Sequence, residues 1–252
     1  MALTEFAKNY HEKMLPGWES TLQKTDPEFI SRFDNFAFDE VINHPAVQLS
    51  DKTRFISHLA VLLGCQGVDN FKIMLPAALN MGVTPVEAKE IVYQAVAYLG
   101  MGRVQPFIAA TNEVFAKQGI SLPLESQETT TMEDRLEKGN RVQADIFGEG
   151  MLESWKNGAQ EIAHINYWLA DNCFGDYYTR TGLDVKTREL ITFCYLYAQG
   201  GCEPQLLAHT KANFGVGNGK ELLIKIISAN IPQIGYPRTL NALRIINEAA
   251  AG

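Results

Sequence analysis

Five residues in the second half of the chain could together move a proton and hold a small acid: Arg188, Glu189, Cys202, Glu203 and His209. A histidine beside a carboxylate is the usual apparatus for proton transfer at neutral pH, because the imidazole titrates there and the carboxylate orients it. A nearby arginine can grip a substrate carboxylate through a two-pronged ion pair. Cys202 and His209 are seven positions apart, nearly two helical turns. They would therefore face one side, roughly 10 Å apart along the axis, with room for substrate or water between them. Glu189 can approach His209 only across a helix pair. His209, Glu189 and Cys202 are thus the candidate catalytic residues, with Arg188 and Glu203 as candidate substrate-binding residues. The competing reading makes Lys-Thr-Arg-Glu a capped, salt-bridged helix start and His209 a structural histidine.

The elements that must position these residues read as helices. Apolar residues recur at helical spacing in TRFISHLAVLLG (53–64), VEAKEIVYQAVAYLG (86–100), TRELITFCYLYAQGG (187–201) and GKELLIKIISANI (219–231), while strand-like alternation is scarce. Gly100 is a plausible C-cap. The two halves repeat one another. LSDKTRFISHLAVLLGC from Leu49 parallels LDVKTRELITFCYLYAQGGC from Leu183, and NMGVTPVEAKEIV from Asn80 parallels NFGVGNGKELLIK from Asn213. Gly102 and Gly235 follow at a similar offset, and these landmarks are spaced by about 133–134 residues. The expected fold is all-α, a tandem duplication of one helical unit. The first unit occupies 1–120, a polar, turn-rich linker 121–131, and the second unit 132–252.

Bulk properties narrow the partners. The 252 residues are 46% hydrophobic and 20% charged, as in a packed globular protein. A net charge of −7 argues against nucleic acid or an anionic membrane as partner. The N-terminal stretch has no apolar signal region, and no run approaches a membrane span. Cys65, Cys173, Cys194 and Cys202 are scattered without a C-x-x-C, which fits free thiols in a reducing, cytoplasmic setting. No zinc-type ligand spacing occurs, so no metal is expected. GVGNG (215–219) lacks both the phosphate-loop pattern and an upstream strand, and reads as a helix–helix turn.

The first copy is informative by what it lacks. Aligned on N-x-G-V, Pro76 stands where His209 does and Asp69 stands opposite Cys202. Aligned on K-T-R, Phe55 stands at Glu189, and only Arg54 matches Arg188. Proline and phenylalanine cannot transfer protons, so the first unit reads as a scaffold or a supplier of pocket walls. His58 is expected to pack inside its apolar helix. His164 could face the site or the solvent, and His11 and His44 have no supporting constellation.

The second half resembles the gamma-carboxymuconolactone decarboxylase family, within the broader alkylhydroperoxidase-like superfamily. The resemblance is carried by EKGNRVQADIFGE (137–149), FGDYYTRTGLDVKTREL (174–190), CEPQLLAHTKANFGVG (202–217) and IGYPRTLNAL (234–243). The first half resembles the same unit more weakly. The resemblance implies an all-helical fold and a cofactor-free enzyme acting on a small carboxylated lactone. It casts His209 as proton donor or acceptor, Glu189 as its orienting partner and Arg188 as a carboxylate anchor. It also implies a homo-oligomer. Single-unit members form rings of six units, so a trimer of tandem chains would complete the same ring. The chain departs from the family pattern at Gln143, where an arginine is usual, at Phe174, where tryptophan is usual, and in the extra glycine of Gly200–Gly201. The peroxidase branch uses C-x-x-C, and here Gln205 replaces its second cysteine, which disfavours a dithiol mechanism.

Three functional classes follow. The first is a carboxy-lyase or related proton-transfer enzyme. The second is a thiol-dependent, peroxiredoxin-like peroxidase using Cys202. The third is a non-catalytic helical binding or scaffold protein.

Overall fold

Ser50 and Asp184 open the two central helices. Each turns a side-chain oxygen back onto the backbone N–H three residues ahead, 3.1 Å from Thr53 N and 2.7 Å from Thr187 N, satisfying a donor the helix itself cannot. The matching K-T-R tripeptides begin two residues after each cap. The computed structural model describes residues 2–251, and every regular element among them is helical. The main helices of the first unit are α1 (Glu5–Met14), α2 (Pro27–Asn35), α3 (Asp51–Gly64), α4 (Val68–Asn80), α5 (Pro85–Leu99) and α6 (Met101–Lys117). Residues 121–131 then run without helix. The second unit contains α7 (Arg135–Phe147), α8 (Ala163–Trp168), α9 (Val185–Gln199), α10 (Glu203–Gly215), α11 (Lys220–Ala229), α12 (Ile231–Ile234) and α13 (Tyr236–Ala251). In both units the helix before the central one continues into a π-helical segment, Phe36–Glu40 after α2 and Leu169–Tyr178 after α8.

The backbone fixes the register of the repeat. Gln66 and Gly201, Gly82 and Gly217, and Gly100 and Gly235 all have positive φ at corresponding helix ends, and each pair is spaced by 135 residues. The shift from 134 to 135 arises because α9 is 15 residues long and α3 is 14. This corrects the sequence alignment. The N-x-G-V match is two residues out of register, so Met74, not Pro76, stands opposite His209. Gly67, not Asp69, stands opposite Cys202, and Gly102 lies inside α6 rather than opposite Gly235. Phe55 keeps its place opposite Glu189, because both precede the extra residue.

The two units are not beads on a string. The central helices α3 and α9 pack against each other, and one continuous core takes in Leu59, Ile91, Phe193 and Ile226 from both halves. At Gly64 the approach is so close that a Cβ would sit 2.7 Å from Ala198 Cβ and 2.8 Å from the Tyr195 carbonyl. Gly139 plays the same part on α7. A Cβ there would run into the Ala170 carbonyl and the Gly175 backbone, so α7 lies backbone to backbone on the π-helical segment.

His58 ties the halves together. It is buried, and its Nδ1 lies 2.7 Å from Asn230 Oδ1, while Asn230 Nδ2 donates to Ser57 Oγ at 3.0 Å. Burial, helped by Arg54, pushes the ring down to about 4, so it is held neutral. The unfolded chain therefore takes up a proton near pH 6.5 that the folded chain refuses until about 4. Stability from this site is fully present above pH 6.5 and falls as pH drops toward 4, by about 3 kcal/mol in all at 1.36 kcal/mol per unit. His58→Gln, which keeps a donor but cannot titrate, is expected to flatten the decline in melting temperature between pH 6.5 and 4. Equal slopes for the two proteins would refute the assignment.

Candidate active site between the two halves

Helices α7, α9 and α10 and the π-helical segment of the second unit converge with α5 of the first on a cavity of about 650 Å³. Helix α9 brings Glu189, wholly buried, and α10 brings His209, 8% exposed. His209 Nδ1 lies 2.8 Å from Glu189 Oε2, so the contact that the spacing only permitted is made. With Nδ1–H donating to the carboxylate, Nε2 is the ring nitrogen left to take up or give a proton. Nε2 has no partner among the described residues, and His209 forms part of the cavity wall. The ring is wedged edge-on between Tyr98 and Phe147, with centroids 5.5 and 5.3 Å away. Asn213 Nδ2 donates to the main-chain carbonyls of both Glu189 and His209, at 2.9 and 2.8 Å, locking α9 to α10 at the level of the dyad.

Behind Glu189 the polar chain continues. Tyr178 OH donates to Glu189 Oε1 at 2.8 Å and lies 2.8 Å from Tyr98 OH and 2.9 Å from Thr192 Oγ1. Gln94 Nε2 donates to Thr192 Oγ1 at 2.9 Å. Because Tyr178 has spent its proton on Glu189, both neighbouring hydroxyls must donate to it. Every proton in the chain then points toward the carboxylate. Burial holds Tyr98 and Tyr178 well above the ordinary tyrosine range, so they serve as donors and not as bases. Tyr98 and Gln94 belong to α5 of the first unit, so that unit supplies part of the wall and of the network.

The other sequence candidates fall in different places. Cys202 lines the same cavity, but its Sγ donates to the Leu196 carbonyl at 3.4 Å and accepts from Gln199 Nε2 at 3.5 Å. Burial pushes the thiol up, away from the reactive thiolate. All four cysteines are free. Arg188 is not a carboxylate anchor in this geometry. It is fully buried, and its guanidinium is committed to Glu90 Oε2 at 2.9 Å, Gln94 Oε1 at 2.8 Å and the Arg180 carbonyl at 2.8 Å. Glu203 sits at the start of α10 and accepts from Asn241 at 3.2 Å, outside the cavity lining. His164 is exposed and packs on Trp168. Gln143, where the family pattern carries arginine, lines the cavity and accepts from Asn140 Nδ2 at 3.2 Å. Among the described residues no arginine or lysine lines the cavity, and its polar wall consists of His209 and amides such as Gln143 and Gln205. Among the described residues no cluster of three or more His, Cys, Asp and Glu side chains could hold a metal ion.

A duplicated all-helical unit with a buried carboxylate–imidazole dyad opening on a cavity defines the class. The chain belongs to the carboxymuconolactone decarboxylase family, whose model matches residues 27–113 and 164–248, one copy in each half. It is 36% identical over 93 residues to the 4-carboxymuconolactone decarboxylase of Acinetobacter baylyi, a match covering 37% of this chain and 66% of that relative. Its fold is similar to the crystal structure of a gamma-carboxymuconolactone decarboxylase subunit from Burkholderia xenovorans LB400. The TM-score is 0.53, with 19% identity and coverage of 97% and 96% of the two chains.

Proposed function

We propose that the chain is a cofactor-free carboxy-lyase that removes CO2 from a small carboxylated lactone or related acid, with His209 moving the proton and Glu189 positioning His209. The observation that carries this reading is the 2.8 Å Glu189–His209 pair, with His209 in the wall of the cavity and its Nε2 without a protein partner among the described residues. The C–C bond to the carboxylate breaks. Its electron pair stays on the ring carbon or in the unsaturation conjugated with it, and CO2 leaves. Protonated His209 then delivers a proton to carbon and regains one from solvent. A mostly apolar wall without a cationic side chain disfavours the carboxylate relative to the dispersed charge of the transition state. For the same reason the fit favours a substrate with one carboxylate over one with two.

The test is a screen of mono- and dicarboxylated lactones for CO2 release, run beside organic hydroperoxides with a thiol reductant. A lactone is expected to turn over, with Cys202→Ser retaining that activity and Glu189→Gln losing it. Peroxide reduction abolished by Cys202→Ser, without lactone turnover, would replace this reading with the thiol peroxidase.

A further inference from the structure

The first unit retains a cavity of its own, about 280 Å³, in the place corresponding to the active-site cavity. At the 135-residue spacing fixed by the backbone, its wall residues Asn70, Ile73 and Met74 on α4 correspond to Gln205, Ala208 and His209 on α10. The helix that covers each cavity also matches. His11 and Leu15, four apart at α1, line one cavity as Gln143 and Phe147, four apart on α7, line the other. The proton-moving pair is gone, replaced by Phe55 and Met74, but the hollow has not been filled.

The chemistry of this hollow is concentrated in one group. Asp34 lines it and is 7% exposed, and no hydrogen bond or ion pair reaches its carboxylate among the described residues. Most of the remaining wall is apolar, including Leu15, Trp18, Phe33 and Met74. The Asp-Asn dipeptide at 34–35 recurs at 171–172, and there Asp171 is ion-paired to Arg135 at 2.6 Å. Among the described residues no cation pairs with Asp34, and the cations beside its cavity residues in sequence are committed or held neutral. Arg32 pairs with Glu28 at 3.0 Å on the outer face, and Lys72 pairs with Glu113 at 2.8 Å. His11 lies against Trp18 and Phe38, with centroids 5.6 and 6.1 Å away, and burial lowers its pKa. Burial raises the Asp34 carboxyl to about 6.

We propose that this cavity is a binding site for a small amphiphilic amine, its ammonium on the Asp34 carboxylate and its apolar body against Trp18 and Phe33. A lone buried carboxylate in an apolar hollow selects for one positive charge on a hydrophobic molecule, since a neutral ligand leaves the charge uncompensated and an anion adds repulsion. The aromatic walls add favourable contact with an organic cation. The volume is at the small end of ligand cavities and suits a single-ring amine rather than a peptide. This site is separate from the Glu189–His209 cavity and does not depend on its reaction.

Isothermal titration calorimetry of the full chain tests the proposal, with 2-phenylethylamine as probe and 2-phenylethanol and phenylacetate as comparators. The amine is expected to bind saturably and at least tenfold more tightly than the alcohol or the acid. Asp34→Asn, near-isosteric at an unbonded carboxylate, is expected to weaken the amine at least tenfold, while Glu189→Gln leaves its affinity unchanged. The wild-type comparison of the three probes needs no variant to fold. No saturable amine binding at millimolar concentration, equal affinity for amine and alcohol, or undiminished binding to Asp34→Asn would each overturn the proposal.

Discussion

Replacing His209 with alanine is expected to lower kcat/KM for lactone decarboxylation by about 10²- to 10⁴-fold, the range of a lost general acid or base. The fold should survive. His209 is a cavity-wall residue, and its loss removes two edge-on aromatic contacts and one of the two side-chain bonds to Glu189, a cost of about 1–3 kcal/mol. The truncation also leaves a ring-sized space beside Glu189 that opens on the cavity. Imidazole added at millimolar concentration is therefore expected to restore part of kcat, as a merely structural histidine would not allow. Full activity in His209→Ala, measured by CO2 release, would sink the mechanism.

The second large effect lies outside the cavity. Glu90 on α5 is 1% exposed and pairs with both Arg188 and Arg180, at 2.9 and 2.8 Å. Glu90→Ala strands the fully buried Arg188 guanidinium without a carboxylate. Breaking one side of a buried pair typically costs about 3–5 kcal/mol, because the remaining charge is left uncompensated. For a chain of this length the melting temperature should fall on the order of 10 °C. The double replacement Glu90→Ala with Arg188→Met removes both charges and is expected to recover most of that loss. Recovery would identify Arg188 as a clamp between units, whereas an unchanged melting temperature in Glu90→Ala would show that the ion pair carries little.

The sequence and the structure agree most where interactions are local. The apolar stripe of 187–199 announces α9, and the matching K-T-R tripeptides expose the duplication, because each signal is carried by a short run of neighbouring residues. The Glu189–His209 pair was legible as residue types, and its formation needed only that adjacent helices pack. The fate of Arg188 was not legible, since its partner Glu90 lies 98 positions earlier in the other unit. The Tyr98–Tyr178 contact spans 80 positions, and no motif marks it. The two-residue register error at Pro76 has a definite cause. The N-x-G-V strings match as letters, but α9 carries one residue more than α3, and the positive-φ turn falls at Gly82 in one copy and Gly217 in the other.

The seam between the halves has an evolutionary consequence. In an assembly of identical units, any substitution at such a seam strikes every copy at once, and a change that helps one side must be tolerated by the other. Here the residues meeting at the dyad are encoded separately: Tyr98 and Gln94 upstream, Tyr178 and Thr192 downstream. Selection can therefore edit one hollow without touching its sibling. One copy is free to keep the Glu189–His209 pair while the other carries Phe55, Met74 and an Asp34 that has no partner among the described residues.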